Sequence, residues 1–234
     1  MGLKLLKQKA YETNISIVNH NLVVLTWGNA SAFDSQLGIF AIKPSGVEYS
    51  SLKWQDMVLV NLDGLVVDSK LNPSSDTLTH LEIYKGFENV NGIVHTHSQW
   101  ATLWSQAGKS IPCLGTTHAD HFYGEIPCLD YLSKKEVDNA YESNTGAQIV
   151  NYFIKNNLNP NHMPACLLHG HASFVWGPDS KAALDNAIAL ESCAFMAYHT
   201  LTLNQKTSLP NYILEKHYKR KHGKNAYYGQ NKNL

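Results

Sequence analysis

Two His-x-His triplets stand out among the residues able to do chemistry in this 234-residue chain. In GIVHTHSQW, residues 92–100, an extended backbone turns His95 and His97 to one face and Thr96 to the other. In LLHGHASF, His169 and His171 repeat the spacing in an apolar strand context. Facing strands of this kind bring three or four imidazoles to one point, and three nitrogen donors with a carboxylate or water make an open zinc-type site. His20, His162 and His199 have no such companions and read as background.

Asp76, in NPSSDTLTHLE, supplies either an oxygen ligand or base, or an ordinary N-cap, because Ser74, Ser75 and Asp76 precede an amphipathic run. Hydroxyls and free amides at a helix start also bind phosphate. Gly28-Asn29 in TWGNASA and Lys43-Pro44-Ser45-Gly46 in IKPSGVEYS read as turns after strands, where backbone amides approach an anion and Lys43 adds a charge. With Ser74 and Ser75 they form one phosphate cradle if the fold gathers them. TTHADHFYGEIPC carries His118, Asp120 and His121 among small residues, either a proton-transferring group or a solvated loop. The tail EKHYKRKHGKNAYYGQ joins a basic run to Tyr227-Tyr228, and its Arg220 is the one arginine among 19 basic residues, suited to a planar bidentate contact.

Positioning these groups calls for a sheet with helices around it. Residues 3 to about 20 carry a helical apolar stripe, NLVVLTW and LGIFAIK read as strands, and MVLVNLDGLVVD as a hairpin turning at Asp63-Gly64. Helices follow in SSDTLTHLEIYKGF and SQWATLWSQAG, either side of the first His-x-His strand. Ser133 and Glu136 have capping-box spacing, and NTGAQIVNYFIKNN reads as another helix. PACLLHGHASFVWG is a strand pair or one bent strand, PDSKAALDNAIALESCAFMAYHTLTLNQ the longest helix, and a last helix starts near Ser208. The order predicts a single α/β domain over 1–234, a three-layer sandwich with a central, largely antiparallel sheet between helices.

Lys plus Arg equals Asp plus Glu at 19 each, so no global field favours nucleic acid or an anionic membrane surface. No apolar run is long enough for a membrane span and no leader is evident, so a cytoplasmic protein is expected. The four cysteines lack metal-knuckle spacing and read as buried thiols.

GNAS, KPSG, SSDT, HTHS, THADHFYG, HGH and AYYGQ, in this order, resemble the class II sugar-phosphate aldolase family, and THADHFYGEIPC with YYGQ resembles its L-ribulose-5-phosphate 4-epimerase branch. Leu78 and Ala30 stand where that branch usually has proline and valine, and NKNL extends past YYGQ. The resemblance implies the class II aldolase fold and one Zn2+ per subunit, or Mn2+ or another divalent ion, on His95, His97, His171 and Asp76, with His169 a neighbour. It implies phosphate among Gly28, Asn29, Lys43, Ser45, Gly46, Ser74 and Ser75, and Asp120 and Tyr228 as acid and base. It further implies a homotetramer with active sites at subunit interfaces, the segment 208–234 with His217, Arg220 and Tyr228 reaching a neighbour. The implied activity is epimerisation of L-ribulose 5-phosphate to D-xylulose 5-phosphate at C4, by cleavage of C3–C4 and re-addition to the opposite face. The alternatives are an aldolase of the fuculose- or rhamnulose-phosphate type, where a glutamate is expected in place of Asp76, and a noncatalytic module like the adducin head.

Overall fold

The computed structural model describes residues 2–224 and 226–228; Gly229 and Gln230 of the AYYGQ motif and the NKNL beyond it lie outside the described residues. Strands β1 (Gly28–Asp34), β2 (Ile39–Ile42), β3 (Val58–Asn61), β4 (Val66–Asp68), β5 (Gly92–Thr96), β6 (Cys128–Leu129), β7 (Ala165–Leu168) and β8 (Ser173–Gly177) join in one sheet. Their order is β4-β3-β2-β1-β5-β8-β7-β6. Every neighbouring pair is antiparallel except β6 with β7, as a largely antiparallel sheet requires.

The period of two along β1 sorts its side chains between two helical layers. On one face Phe33 stacks on Tyr84 of α2 (Thr77–Gly86), with ring centroids 4.7 Å apart. Farther along that face Trp176 of β8 packs against Phe87 and against Phe153 of α5 (Lys134–Lys155). The other face is covered by α1 (Leu3–Asn19) and α6 (Ser180–Leu203), with α3 (Gln99–Gln106) beside α6. A short helix α4 (Thr116–Ala119) packs against α7 (Asn211–His222). The three-layer α/β domain expected from the sequence is therefore the architecture found.

Two contacts hold the centre of the sheet in place. Asn14 of α1 donates from Nδ2 to the Ala30 carbonyl (2.8 Å) and accepts the Ala30 N–H at Oδ1 (2.9 Å), completing β1 where β2 does not reach. At Gly92 an added Cβ would run into the Ser180 backbone, so the missing side chain lets the start of α6 sit directly on β5.

Three expectations need correction. NLVVLTW is not a strand: Val24 and Trp27 form an isolated bridge and Leu25 takes φ 53, which turns the chain and leaves those side chains largely exposed. Gly28 and Asn29 then belong to β1 itself and not to a turn after a strand. His169 and His171 lie in the tight turn joining β7 to β8, where Gly170 has φ 70. The two helices read over 133–157 are both present, run end to end as α5 across a break at Ala140, whose φ −161 and ψ 71 are not helical.

Candidate active site

The central strands bring the histidines together. His95, next to last in β5, lies opposite Asn29 of β1 and Phe174 of β8, while His97 follows the strand and His171 leaves the β7–β8 turn toward them. Their three rings form a near-regular triangle with centroids 5.1, 5.0 and 4.9 Å apart. One ligand nitrogen from each lies within 4.8 Å of the others. His95 Nδ1 donates to the Ser173 carbonyl at 2.9 Å, which leaves Nε2 bare and aimed into the cluster, the orienting contact that metal-binding imidazoles need. Burial and the neighbouring imidazoles favour the neutral, ligating form, and bring His171 down to about 4.

Asp76 joins this cluster and does not cap α2, since its carboxylate makes no hydrogen bond to the helix amides. Its Oδ2 accepts from Asn29 Nδ2 at 2.7 Å and stands 3.9 Å from His95 Nε2. Burial pushes its pKa up, but His95, His80 and the Asn29 amide outweigh that and hold it below the usual carboxylate range. Three neutral imidazoles and one carboxylate are a donor set suited to zinc or another divalent ion. His171 Nδ1 and Asn29 Oδ1 are buried with no partner among the described residues, a costly state that a ligand would relieve. His169 instead stacks on Tyr131, with centroids 4.0 Å apart, away from the triangle.

The sequence-predicted cradle closes around the same point. A cavity of about 620 Å³ is lined by Gly28, Asn29, Lys43, Ser45, Gly46, Ser74, Ser75 and Asp76 together with the three histidines. The 43–46 and 72–76 loops are tied by Ser45 N–H to the Asn72 carbonyl (3.0 Å) and Ser74 N–H to the Lys43 carbonyl (2.9 Å). Gly28 has φ 127 and its carbonyl accepts from the Tyr49 hydroxyl at 2.8 Å, so a side chain there would be strained. Lys43 lines the wall but its ammonium is held by the Val47 carbonyl (2.6 Å) and the Tyr49 ring, and burial lowers its pKa. It contributes charge from behind the cradle more than a free hand within it.

Tyr141 and Glu142, which the sequence reading assigned no role, also line the cavity. The bend at Ala140 puts them there, with carbonyls on either side of it satisfied from outside the ladder: Thr79 donates to Glu142 O (2.7 Å) and Asn144 to Glu136 O (2.7 Å). The gap between two expected helices was the only signal for them.

A second cluster forms apart from this cavity. Asp120, just after α4, accepts from Arg220 Nε (3.2 Å) and from a terminal guanidinium nitrogen (2.8 Å), and from His217 Nδ1 (3.2 Å). Burial raises its pKa, and the Arg220 and His217 bonds more than offset this, so it is a carboxylate. Tyr228 lies with its ring 5.0 Å from the Arg220 guanidinium carbon. Asp120, Tyr228, His217 and Arg220 are thus brought to one another, and none of them lines the cavity of the same chain.

The sequence matches the class II aldolase and adducin N-terminal domain over residues 8–198. The chain belongs to that family. An L-fuculose 1-phosphate aldolase has the same fold with TM-score 0.78 at 22% identity, over 94% of this chain and 97% of that one. YgbL from Escherichia coli, described as a putative aldolase/epimerase/decarboxylase, superposes with TM-score 0.70 at 20% identity, over 91% and 97% of the two chains. The L-fuculose 1-phosphate aldolase from Glaciozyma antarctica PI12 gives 0.73 at 19%, over 93% and 81%. At these identities the neighbours establish the class II aldolase fold.

Proposed function

We propose that this class II aldolase family member is an L-ribulose-5-phosphate 4-epimerase, converting L-ribulose 5-phosphate to D-xylulose 5-phosphate, with its active sites shared between subunits of a homotetramer. One observation carries the reading: a cation-type donor set and an anion cradle share one cavity, while a carboxylate and a tyrosine wait together on a separate unit of the same chain. The C4 hydrogen of a ketopentose phosphate is not acidic, whereas cleaving C3–C4 needs only a proton carrier at the C4 hydroxyl and a sink for negative charge on the ketose fragment. A divalent ion on His95, His97, His171 and Asp76 supplies that sink as a Lewis acid. Amides and hydroxyls of Gly28, Asn29, Ser45, Gly46, Ser74 and Ser75 grip the phosphate, so the released two-carbon aldehyde turns without leaving. Asp120 and Tyr228 of a neighbouring copy then take and return the hydroxyl proton on opposite faces of that aldehyde. Segment 208–234 carries Tyr228, so it is the part that reaches across, within a single domain spanning 1–234.

An aldolase that releases its fragments has the support of the fuculose-phosphate aldolase neighbours. The aspartate at 76 and the Asp120 unit favour the epimerase. Zinc-loaded protein incubated with L-ribulose 5-phosphate, with D-xylulose 5-phosphate followed by a coupled assay, is expected to turn over and to stop on adding a chelator. Free glycolaldehyde phosphate without the epimer would replace this reading with the aldolase.

A further inference from the structure

Resting on that reading, we propose that Arg220 is a positioning residue that locks the two proton carriers, Asp120 and Tyr228, into one rigid unit and so sets their geometry for proton transfer. This one residue makes three separate kinds of contact. Its guanidinium fork meets both oxygens of Asp120, Nε to Oδ1 and a terminal nitrogen to Oδ2 at 3.2 and 2.8 Å. The same guanidinium lies against the Tyr228 ring, at 5.0 Å. Its backbone carbonyl accepts the N–H groups of both Tyr227 (2.9 Å) and Tyr228 (3.1 Å).

The local chain explains why residue 220 can do all three. A helix leaves its last carbonyls without intrahelical partners. Here α7 ends at His222, the Lys219 carbonyl is taken by Gly223 N–H at 2.8 Å, and the Arg220 carbonyl is free to catch the returning tail. His217, one turn earlier, reaches the same Asp120 oxygen that the Arg220 Nε holds. His222 adds a third anchor to this segment through the Asp120 carbonyl at 2.8 Å. The Asp120 and Arg220 side chains are 15% and 24% exposed, so the fork is shielded enough to hold its geometry. A lysine has one point of charge and no plane, and could meet one carboxylate oxygen but not both oxygens and the ring at once. Among 19 basic residues the chain uses a guanidinium here alone.

The test compares Arg220→Ala, Arg220→Lys, Asp120→Asn and the double variant Arg220→Ala/Asp120→Asn. Arg220→Ala is expected to lower kcat about 100-fold, the size of loss an ångström-scale misplacement produces, with KM and zinc content unchanged because cradle and metal ligands lie elsewhere. Arg220→Lys should recover less than a tenth of the wild-type rate, and guanidinium ion added to Arg220→Ala should restore part of it. The double variant should fall below Asp120→Asn by clearly less than the full Arg220→Ala loss, since part of that loss passes through the carboxylate and only the part that passes through Tyr228 remains. A kcat within threefold of wild type for Arg220→Ala, or losses that simply multiply in the double variant, overturns the proposal. If the wild-type protein does not epimerise L-ribulose 5-phosphate, the functional reading falls, and amide exchange at residues 226–228 decides for Arg220. Exchange at least tenfold faster in Arg220→Ala sustains the clamp; unchanged exchange removes it.

Discussion

Lowering the pH from 7 to 5 should destabilise the chelator-treated protein by about 4 kcal/mol, and two buried histidines set that figure. His80 is fully buried with Nδ1 2.7 Å from the Ser31 hydroxyl, and burial pushes its pKa down to about 3. His118 is 4% exposed, with Nε2 2.8 Å from the Gly124 carbonyl, and burial lowers it to about 4. Both folded values lie below the ordinary imidazole value of about 6.5, so the unfolded chain binds more protons and stability falls as the pH drops through that value. At pH 5 an unfolded imidazole is about 97% protonated while these two stay largely neutral, which costs about 1.9 kcal/mol each relative to pH 7. His95, His97, His121 and His171 are shifted the same way, so the sum is a lower bound. The lowered carboxylates Asp76 and Asp120 protonate only below this window and leave it clean. Urea unfolding followed by tryptophan fluorescence should show the midpoint falling by about 1.5 M between the two pH values, at a slope of about 2–3 kcal/mol per M. Coincident midpoints would refute the assignment of these imidazoles as buried and neutral, and His118→Gln should remove about 1.9 kcal/mol of the pH effect.

Periodicity and spacing carried the sheet and its flanking helices and singled out the two His-x-His triplets, because burial on a strand face imposes strict residue types at strict intervals; that His171 and not His169 joins His95 and His97 was implied by the family resemblance and depends on the turn at Gly170. They failed where the chain departs from regular geometry. Val24, Leu25 and Trp27 have strand composition, yet Leu25 adopts a positive φ and the apolar side chains turn outward beside the cavity. Such a run is indistinguishable in sequence from a buried strand. The placement of Asp76 was equally undecidable locally: Ser-Ser-Asp before a helix is ordinary capping sequence, and it takes Asn29, 47 residues away on β1, to hold the carboxylate beside the histidine cluster. Tyr141 and Glu142 gave no signal beyond the gap between two helices, because the bend that aims them depends on hydrogen bonds from Thr79 and Asn144 to specific carbonyls. Arg220, by contrast, announced a bidentate partner by its rarity, though the partner itself, 100 residues distant, needed the fold.

The remaining expectations concern the two halves of the site and the strand beneath them. Asn14→Ala leaves the Ala30 N–H and carbonyl buried and unpaired and should cost about 3 kcal/mol, lowering Tm by about 6–12 °C; a fall under about 2 °C would show that water replaces the side chain. His97→Asn should lose bound zinc and activity together, whereas Asp120→Asn should keep its zinc, measured by elemental analysis, and lose epimerisation. Mixing those two inactive variants tests the shared site directly. After reversible dissociation and reassembly at equal ratio, a site works only when its metal half comes from the Asp120→Asn chain and its proton unit from the His97→Asn chain. Each choice has a probability of one half in a head-to-tail ring, so about a quarter of wild-type activity should return. No recovery from mixtures shown to have exchanged subunits would mean that Asp120 serves the cavity of its own chain, and α4 with α7 would then have to swing toward His95 for the reaction to proceed.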